Sequence, residues 1–292
     1  MERLYQIEDV RPRAKILFIN PNPKADSIAH LNIARHMFGL EQDIEPPEMV
    51  LSRIKSPGPS DSGNYFLRHS VKAEIELPKL DDVSAVVISG STYNAGPLKR
   101  KMSMFGVERP VDKPEWFVPF WLRELIEFVQ QAHEAGKPIL GECFGAQVLA
   151  EALGGKIGRL VQNGQGVKEG GWGVVDVADS QDPLFANIAP KFVAPMNHMY
   201  QVVNIPPSSH AIAEGRFGVQ AFRIDNAWGI QFHPAKEASA VESYYAEEGV
   251  KDKYAAWGWN IEQEQELGKK HDPKTLQSIY TNFLRLAWVG VQ

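Results

Sequence analysis

Cys143 is the single thiol in a chain of 292 residues, and the residue types around it are those a nucleophile needs. It stands in the run Pro-Ile-Leu-Gly-Glu-Cys-Phe-Gly-Ala-Gln-Val-Leu-Ala-Glu-Ala-Leu-Gly-Gly, residues 138–155. The apolar residues before the cysteine predict a strand. Those after it predict a buried helix, stopped by Gly154 and Gly155. A thiol on a sharp strand-to-helix turn is lifted clear of the backbone, and the helix N-terminus behind it favours the thiolate. Gly141 and Gly145 flank the cysteine at i−2 and i+2, where a strained turn and a close approach both require a missing Cβ. A lone cysteine is more often a small buried hydrophobe, so the assignment depends on partners.

A thiol becomes a useful nucleophile near neutral pH beside a base or cation, and histidine is the commonest choice. Of the eight histidines, His30, His36 and His133 fall in helical patterns, His69 and His271 in polar surroundings, and His210 at the start of a short strand. His233 differs. It ends the run Trp228-Gly-Ile-Gln-Phe-His-Pro, and Pro234 stops the strand beside it. Ligand and catalytic groups in open α/β sheets gather outside the carboxyl ends of strands. Cys143 follows such an end too, so the two can share one crevice. A chance His-Pro at a strand end is the plainer alternative.

The elements that must position these residues alternate. Ala14 to Asn20 and Val83 to Ser89 predict strands covered on both faces. Residues 26–38 and Trp121 to Ala135 have helical apolar spacing, the second ended by Gly136. Shorter strands follow at Trp172 to Val177, Phe192 to Ala194, His210 to Ala213, Val219 to Ile224 and Trp228 to Phe232. Asp225-Asn226 is the turn of a hairpin between the last two. Residues 238–292 read as a helical C-terminal extension, with Leu276, Ile279, Phe283, Leu284 and Ala287 marking its last helix. The expected fold is α/β: a mostly parallel sheet flanked by helices, with an antiparallel extension. We expect one domain over 1–292, with loop insertions near 56–63 and 93–118. Loops as long as the second are often functional lids, although packing an apolar satellite cluster is an equal use.

Composition sets outer bounds. A hydrophobic fraction of 43% and a charged fraction of 23% suit a protein with a proper core. The net charge of −5 argues against a nucleic-acid partner. No apolar run is long enough to span a bilayer, and the charged N-terminus lacks a signal region. One cysteine forms no internal disulfide, which points to a reducing cytoplasm. There is no phosphate loop and no cysteine–histidine cluster suited to a metal, so no cofactor is expected.

Taken together, Gly-Glu-Cys-Phe-Gly-Ala-Gln, the following Ala-Leu-Gly-Gly, the loop Val-Val-Ile-Ser-Gly-Ser at 86–91 and the later Gly-Ile-Gln-Phe-His-Pro resemble the class I glutamine amidotransferase family. Within it the pattern is similar to the stand-alone, GMP-synthase-like group and to γ-glutamyl peptidases and hydrolases. The resemblance covers roughly residues 83–237 and implies a flavodoxin-like amidotransferase fold. It implies that Cys143 attacks a γ-carbonyl carbon to give a thioester, and that His233 pairs with the thiolate and shuttles protons. Phe144 and one of Gly90 or Ser91 would supply the oxyanion-binding N–H groups. Gln147 and His198 match substrate-contacting positions.

Three positions depart from the family. Its His-Pro-Glu carries a carboxylate where this chain has Ala235, and Glu237 is the residue available to stand in as third member. Tyr200 replaces an acid two residues after His198, near the substrate's far end, which suggests a substrate other than plain glutamine. Glu142 replaces a residue that is commonly apolar. Strand alternation points it away from Cys143, into a supporting role. The leading expectation is a hydrolase that cleaves a γ-glutamyl amide with an aromatic or apolar amine. A glutaminase subunit feeding ammonia to a separate synthetase is the second, and an inactive regulatory module, suggested by Ala235, the third.

Overall fold

The structure is a computed structural model and describes residues 16–20, 49–55, 74–90 and 120–289. The expected helix at 26–38, both expected loop insertions and Ser91 lie outside the described residues.

The strands are β1 (Ile16–Asn20), β2 (Met49–Lys55), β3 (Glu74–Ile75), β4 (Ala85–Ile88), β5 (Ile139–Glu142), β6 (Lys156–Arg159), β7 (Val161–Gln162), β8 (Gln165–Gly166), β9 (Glu169–Val177), β10 (Lys191–His198), β11 (Tyr200–Asn204), β12 (His210–Gly215), β13 (Gly218–Ile224) and β14 (Ala227–Ile230). The α-helices are α1 (Phe120–Glu134), α2 (Phe144–Ala152), α3 (Ala238–Tyr245), α4 (Val250–Ala256), α5 (Ile261–Gly268) and α6 (Pro273–Val289). Ten strands form one sheet in the order β10-β9-β12-β13-β14-β5-β4-β1-β2-β3. From β2 through β14 neighbours run parallel. From β14 outward to β10 they are antiparallel. This is the mixed sheet expected from the order of elements.

The two-residue period of a strand sorts its side chains onto two faces. Leu17, Ile19, Val86, Ile88 and Ile139 pack with α1 and α2 in one cluster. Ile16, Phe18, Val87, Leu140 and Trp228 pack on the other face with Leu276, Ile279, Tyr280 and Phe283 of α6. β4 and β5 are buried along their whole length, so their apolar runs are continuous rather than alternating. A third cluster joins Trp172 and Val193 to Val241, Tyr244, Tyr245, Val250, Tyr254 and Ile261, fastening α3 to α5 against β9 and β10.

Two differences from the sequence reading bear on the site. The strand expected over Trp228 to Phe232 ends at Ile230, so His233 lies in a loop beyond it, tied to the antiparallel half by its N–H bond to the Pro195 carbonyl at 2.9 Å. β2, the parallel neighbour of β1, went unread because Met-Val-Leu-Ser-Arg-Ile-Lys mixes apolar and charged residues without a clean period. Among the described residues no helix is long and apolar enough to cross a membrane.

Candidate active site

The elbow forms as its residues predict. β5 ends at Glu142, Cys143 follows, and α2 begins at Phe144. Cys143 has φ 51° and ψ −101°, a conformation that costs a non-glycine residue about 1–3 kcal/mol and persists only where the surroundings over-determine it. Here its N–H bonds the Ile230 carbonyl at 2.7 Å and its carbonyl accepts from Gln147 N at 3.1 Å. Gly145 lets α2 lie on β4: a Cβ there would meet the Ile88 carbonyl oxygen at 2.1 Å. Gly141 packs against the same turn. Gly155 N–H returns to the Ala150 carbonyl at 2.7 Å, with Gly154 at φ 88°, closing α2 in a Schellman turn.

His233 comes to this elbow. A Cβ on Gly90 would meet His233 Cε1 at 2.8 Å and Cys143 Cβ at 3.6 Å, so the loop after β4, the nucleophile turn and the loop after β14 converge. Gly90 and Phe144 therefore flank Cys143. Burial alone would drive the His233 imidazole toward its neutral form. The Cys143 sulfur, by charge and hydrogen bonding, and the Glu142 carboxylate outweigh it and push its pKa up to about 10. The arrangement favours the protonated imidazolium of His233.

The carboxylate bonded to His233 in the structure is that of Glu142. Glu142 Oε1 lies 2.8 Å from His233 Nδ1, and the Tyr280 hydroxyl donates to Glu142 Oε2 at 2.8 Å. Glu237, the expected third member, is exposed at the N-cap of α3. The reason lies in the register. Glu142 follows Leu140 by two residues and so shares its face of the sheet, the one covered by α6. Alternation does turn Glu142 from the thiol, but toward the histidine. A charged residue inside a buried strand was the available signal, since an acid is almost never fully buried unpaired. Tyr280 gave no separate signal within its apolar helix face.

Gln147, His198 and Tyr200 also meet, though through a backbone atom. Gln147 Nε2 donates to the Tyr200 carbonyl at 2.8 Å, and His198 Nδ1 lies 3.2 Å from the same oxygen. His198 Nε2 approaches Glu169 Oε2 to 2.9 Å, off the line of a hydrogen bond. Gln220 Nε2 donates to that carboxylate at 3.2 Å. Tyr200 packs into the core cluster with α1 and α2. Two half-buried lysines stand nearby. Lys236 N–H bonds the His233 carbonyl at 3.2 Å; burial lowers its pKa, while Glu247 and Cys143 raise it. Lys168 Nζ sits 4.4 Å from the centre of the Tyr244 ring, its pKa lowered by burial and by Lys236.

Among the described residues, Asp179, Asp182 and His210 bring potential metal-ligand atoms within 4.8 Å of one another. Asp182 is already committed: Oδ1 accepts from Leu184 N–H and Trp228 Nε1, and Oδ2 from Arg223. Its place is structural, pinning β13 and β14 to the turn before β10.

The family model described as glutamine amidotransferase class-I matches residues 65–252. GMP synthase [glutamine-hydrolyzing] of Thermotoga maritima is 32% identical over 172 residues, which cover 57% of this chain and 28% of that protein. The imidazole glycerol phosphate synthase subunit HisH of Symbiobacterium thermophilum is 36% identical over 132 residues, covering 40% of this chain and 61% of its own length. The chain thus spans less than two thirds of either relative. A solved glutamine amidotransferase of Thermotoga maritima superposes with a TM-score of 0.59 at 18% identity, covering 95% of this chain and 99% of that one, which shows a shared fold.

Proposed function

Because the chain belongs to the class I glutamine amidotransferase family, we propose that Cys143, His233 and Glu142 hydrolyse the C–N bond of a γ-glutamyl amide, glutamine being the simplest case. The observation that carries this reading is the 2.8 Å contact between Glu142 and His233 beside the strained cysteine. It supplies the carboxylate that Ala235 left missing.

The Cys143 thiolate adds to the γ-carbonyl carbon, and the carbonyl π electrons move onto oxygen. Backbone N–H groups at Phe144 and Gly90 face the developing oxyanion; one such donor typically accounts for about 10²- to 10³-fold in rate. Collapse breaks the C–N bond as the His233 imidazolium protonates the departing amine. The imidazole then removes a proton from water, which attacks the thioester. The C–S bond breaks, glutamate leaves, and the thiolate–imidazolium pair is restored. Glu142 holds the ring and stabilises its positive charge throughout. A reducing cytoplasm suits a mechanism that needs a free thiol.

Incubation with glutamine and a panel of γ-glutamyl amides and anilides tests the reading. Release of glutamate that disappears in Cys143→Ala supports it; identical behaviour of the two proteins overturns it. A preference for anilides would support an aromatic or apolar leaving amine. Similarity to a glutamine-hydrolysing GMP synthase and to a subunit of imidazole glycerol phosphate synthase favours a second reading, in which glutamine is the substrate and ammonia passes to a separate synthetase. Strong stimulation of glutamine hydrolysis by a partner fraction distinguishes that case. The inactive-module reading rested on Ala235 and loses its motive once Glu142 serves the histidine.

A further inference from the structure

Glu142 has two oxygens, and each is held by a different part of the chain. Oε1 meets His233 Nδ1 at 2.8 Å and Oε2 accepts from the Tyr280 hydroxyl at 2.8 Å. Tyr280 belongs to α6, 138 residues further along, and is 1% exposed, while Glu142 is 6% exposed. Ala235 packs against the buried cluster that contains Tyr280. The tyrosine therefore packs with the position at which the family pattern carries its acid, and it bonds Glu142.

A glutamate has three side-chain torsions, and a carboxylate with one oxygen unpartnered can turn away from the imidazole it serves. Burial makes this worse, because a buried oxygen without a donor carries a desolvation cost that any nearby donor relieves. We propose that Tyr280 is a positioning residue of the active site: from the last helix it fixes Glu142 in the orientation that meets His233 Nδ1. The proposal rests on reading Cys143 and His233 as the hydrolytic pair. The groups facing the Glu142 carboxylate are His233 from the loop after β14 and Tyr280 from α6, with Cys143 next in the chain and Lys236 beyond His233. Burial, followed by the charge of Glu142, keeps the Tyr280 hydroxyl protonated well above the ordinary tyrosine range. It remains a donor throughout the pH range in which His233 keeps its proton.

The role makes α6 part of the catalytic apparatus rather than only a cover for the sheet. Its apolar residues Leu276, Ile279 and Phe283 are fully buried, so the hydroxyl is presented from a rigid element and not from a loop.

A double-mutant cycle over wild type, Tyr280→Phe, Glu142→Gln and the double variant tests this, with two readouts. One is kcat and KM on a hydrolysed γ-glutamyl amide; the other is the rate of Cys143 alkylation by iodoacetamide against pH, which needs no knowledge of the substrate. Tyr280→Phe removes one oxygen atom and keeps the packing. We expect kcat to fall about ten-fold, the size typical of an outer partner acting through another side chain. KM should stay within about two-fold and alkylation near pH 6 should slow in step. In the Glu142→Gln background the same change should have little effect, because a residue acting through another couples to it. Wild-type kinetics in Tyr280→Phe, or an equal loss in both backgrounds, overturns the proposal. If Cys143→Ala hydrolysed the amides as wild type does, the hydrolytic reading would fall, and the alkylation cycle would still decide whether Tyr280 acts on the pair.

Discussion

The two arms of the site are built in opposite ways. The residues that build the nucleophile turn lie within 138–155, namely the strand, the strained Cys143, Gly145 and the Schellman turn, with Ile88 and Ile230 packed or bonded against it from neighbouring strands. The histidine arm is short of local support. Ala235 offers no carboxylate, and His233 takes its acid from Glu142, 91 residues earlier, which is itself anchored 138 residues later by Tyr280. A local motif can be recognised in one pass of the chain, whereas an orienting group needs only to arrive in space. The identity of a third catalytic member is therefore the part of such a site most free to move in sequence while its geometry is kept.

The comparison predicts a graded set of losses. Cys143→Ala removes the single thiol, and turnover of any γ-glutamyl substrate should fall by about 10⁴-fold or more, measured as glutamate release. Glu142→Gln keeps the shape but loses the charge, and should cost about 10²- to 10⁴-fold in kcat, the range in which an orienting acid acts in a triad. Near-wild-type turnover in that variant would collapse the distinction between the arms.

The pH profile sharpens the same point. The folded pKa of His233 is raised from 6.5 to about 10, so the stabilising pairing is fully present below about 6.5 and is lost as pH rises through about 10. The alkaline limb of Cys143 alkylation in wild type should lie near that upper value. In Glu142→Gln it should move downward, because one of the partners that raise His233 has lost its charge.

Gly90→Ala places a Cβ against the His233 ring, and a ring with no room to move should lower kcat about ten- to a hundred-fold with a small change in melting temperature. The smallest effect is expected for Glu237→Gln. If Glu142 rather than Glu237 serves the histidine, kcat should change less than about two-fold, within the range of exposed substitutions. A loss approaching that of Glu142→Gln would return the acid to the position first expected from the sequence.

The sheet was legible where strands are covered on both faces. Ile16 to Asn20, Ala85 to Ile88 and Ile139 to Glu142 are short apolar runs, and the observed strands lie within a residue or two of the expected ones. The α6 stripe was legible for the same reason: Leu276, Ile279 and Phe283 recur at helical spacing and are all buried. The short strands β6, β7, β8 and β11 were not, because two- to five-residue ladders leave too few side chains to show a period. The burial of Tyr200 and the bond from Gln147 to its carbonyl are not legible in its neighbours in sequence, because both depend on elements distant along the chain.

The sequence by itself determined the family, the mixed parallel sheet, the elbow at Cys143 and the place of His233 near a strand end. Each is carried by short motifs or by the order of elements, and within each motif backbone sterics and periodicity act directly on residues one turn or one strand apart. Only the tertiary structure brought a carboxylate, that of Glu142, to the His233 ring. That placement follows from which face of β5 residue 142 takes and which helix covers that face. Both are set by packing between elements about ninety to a hundred and forty residues apart, over which no local preference can act.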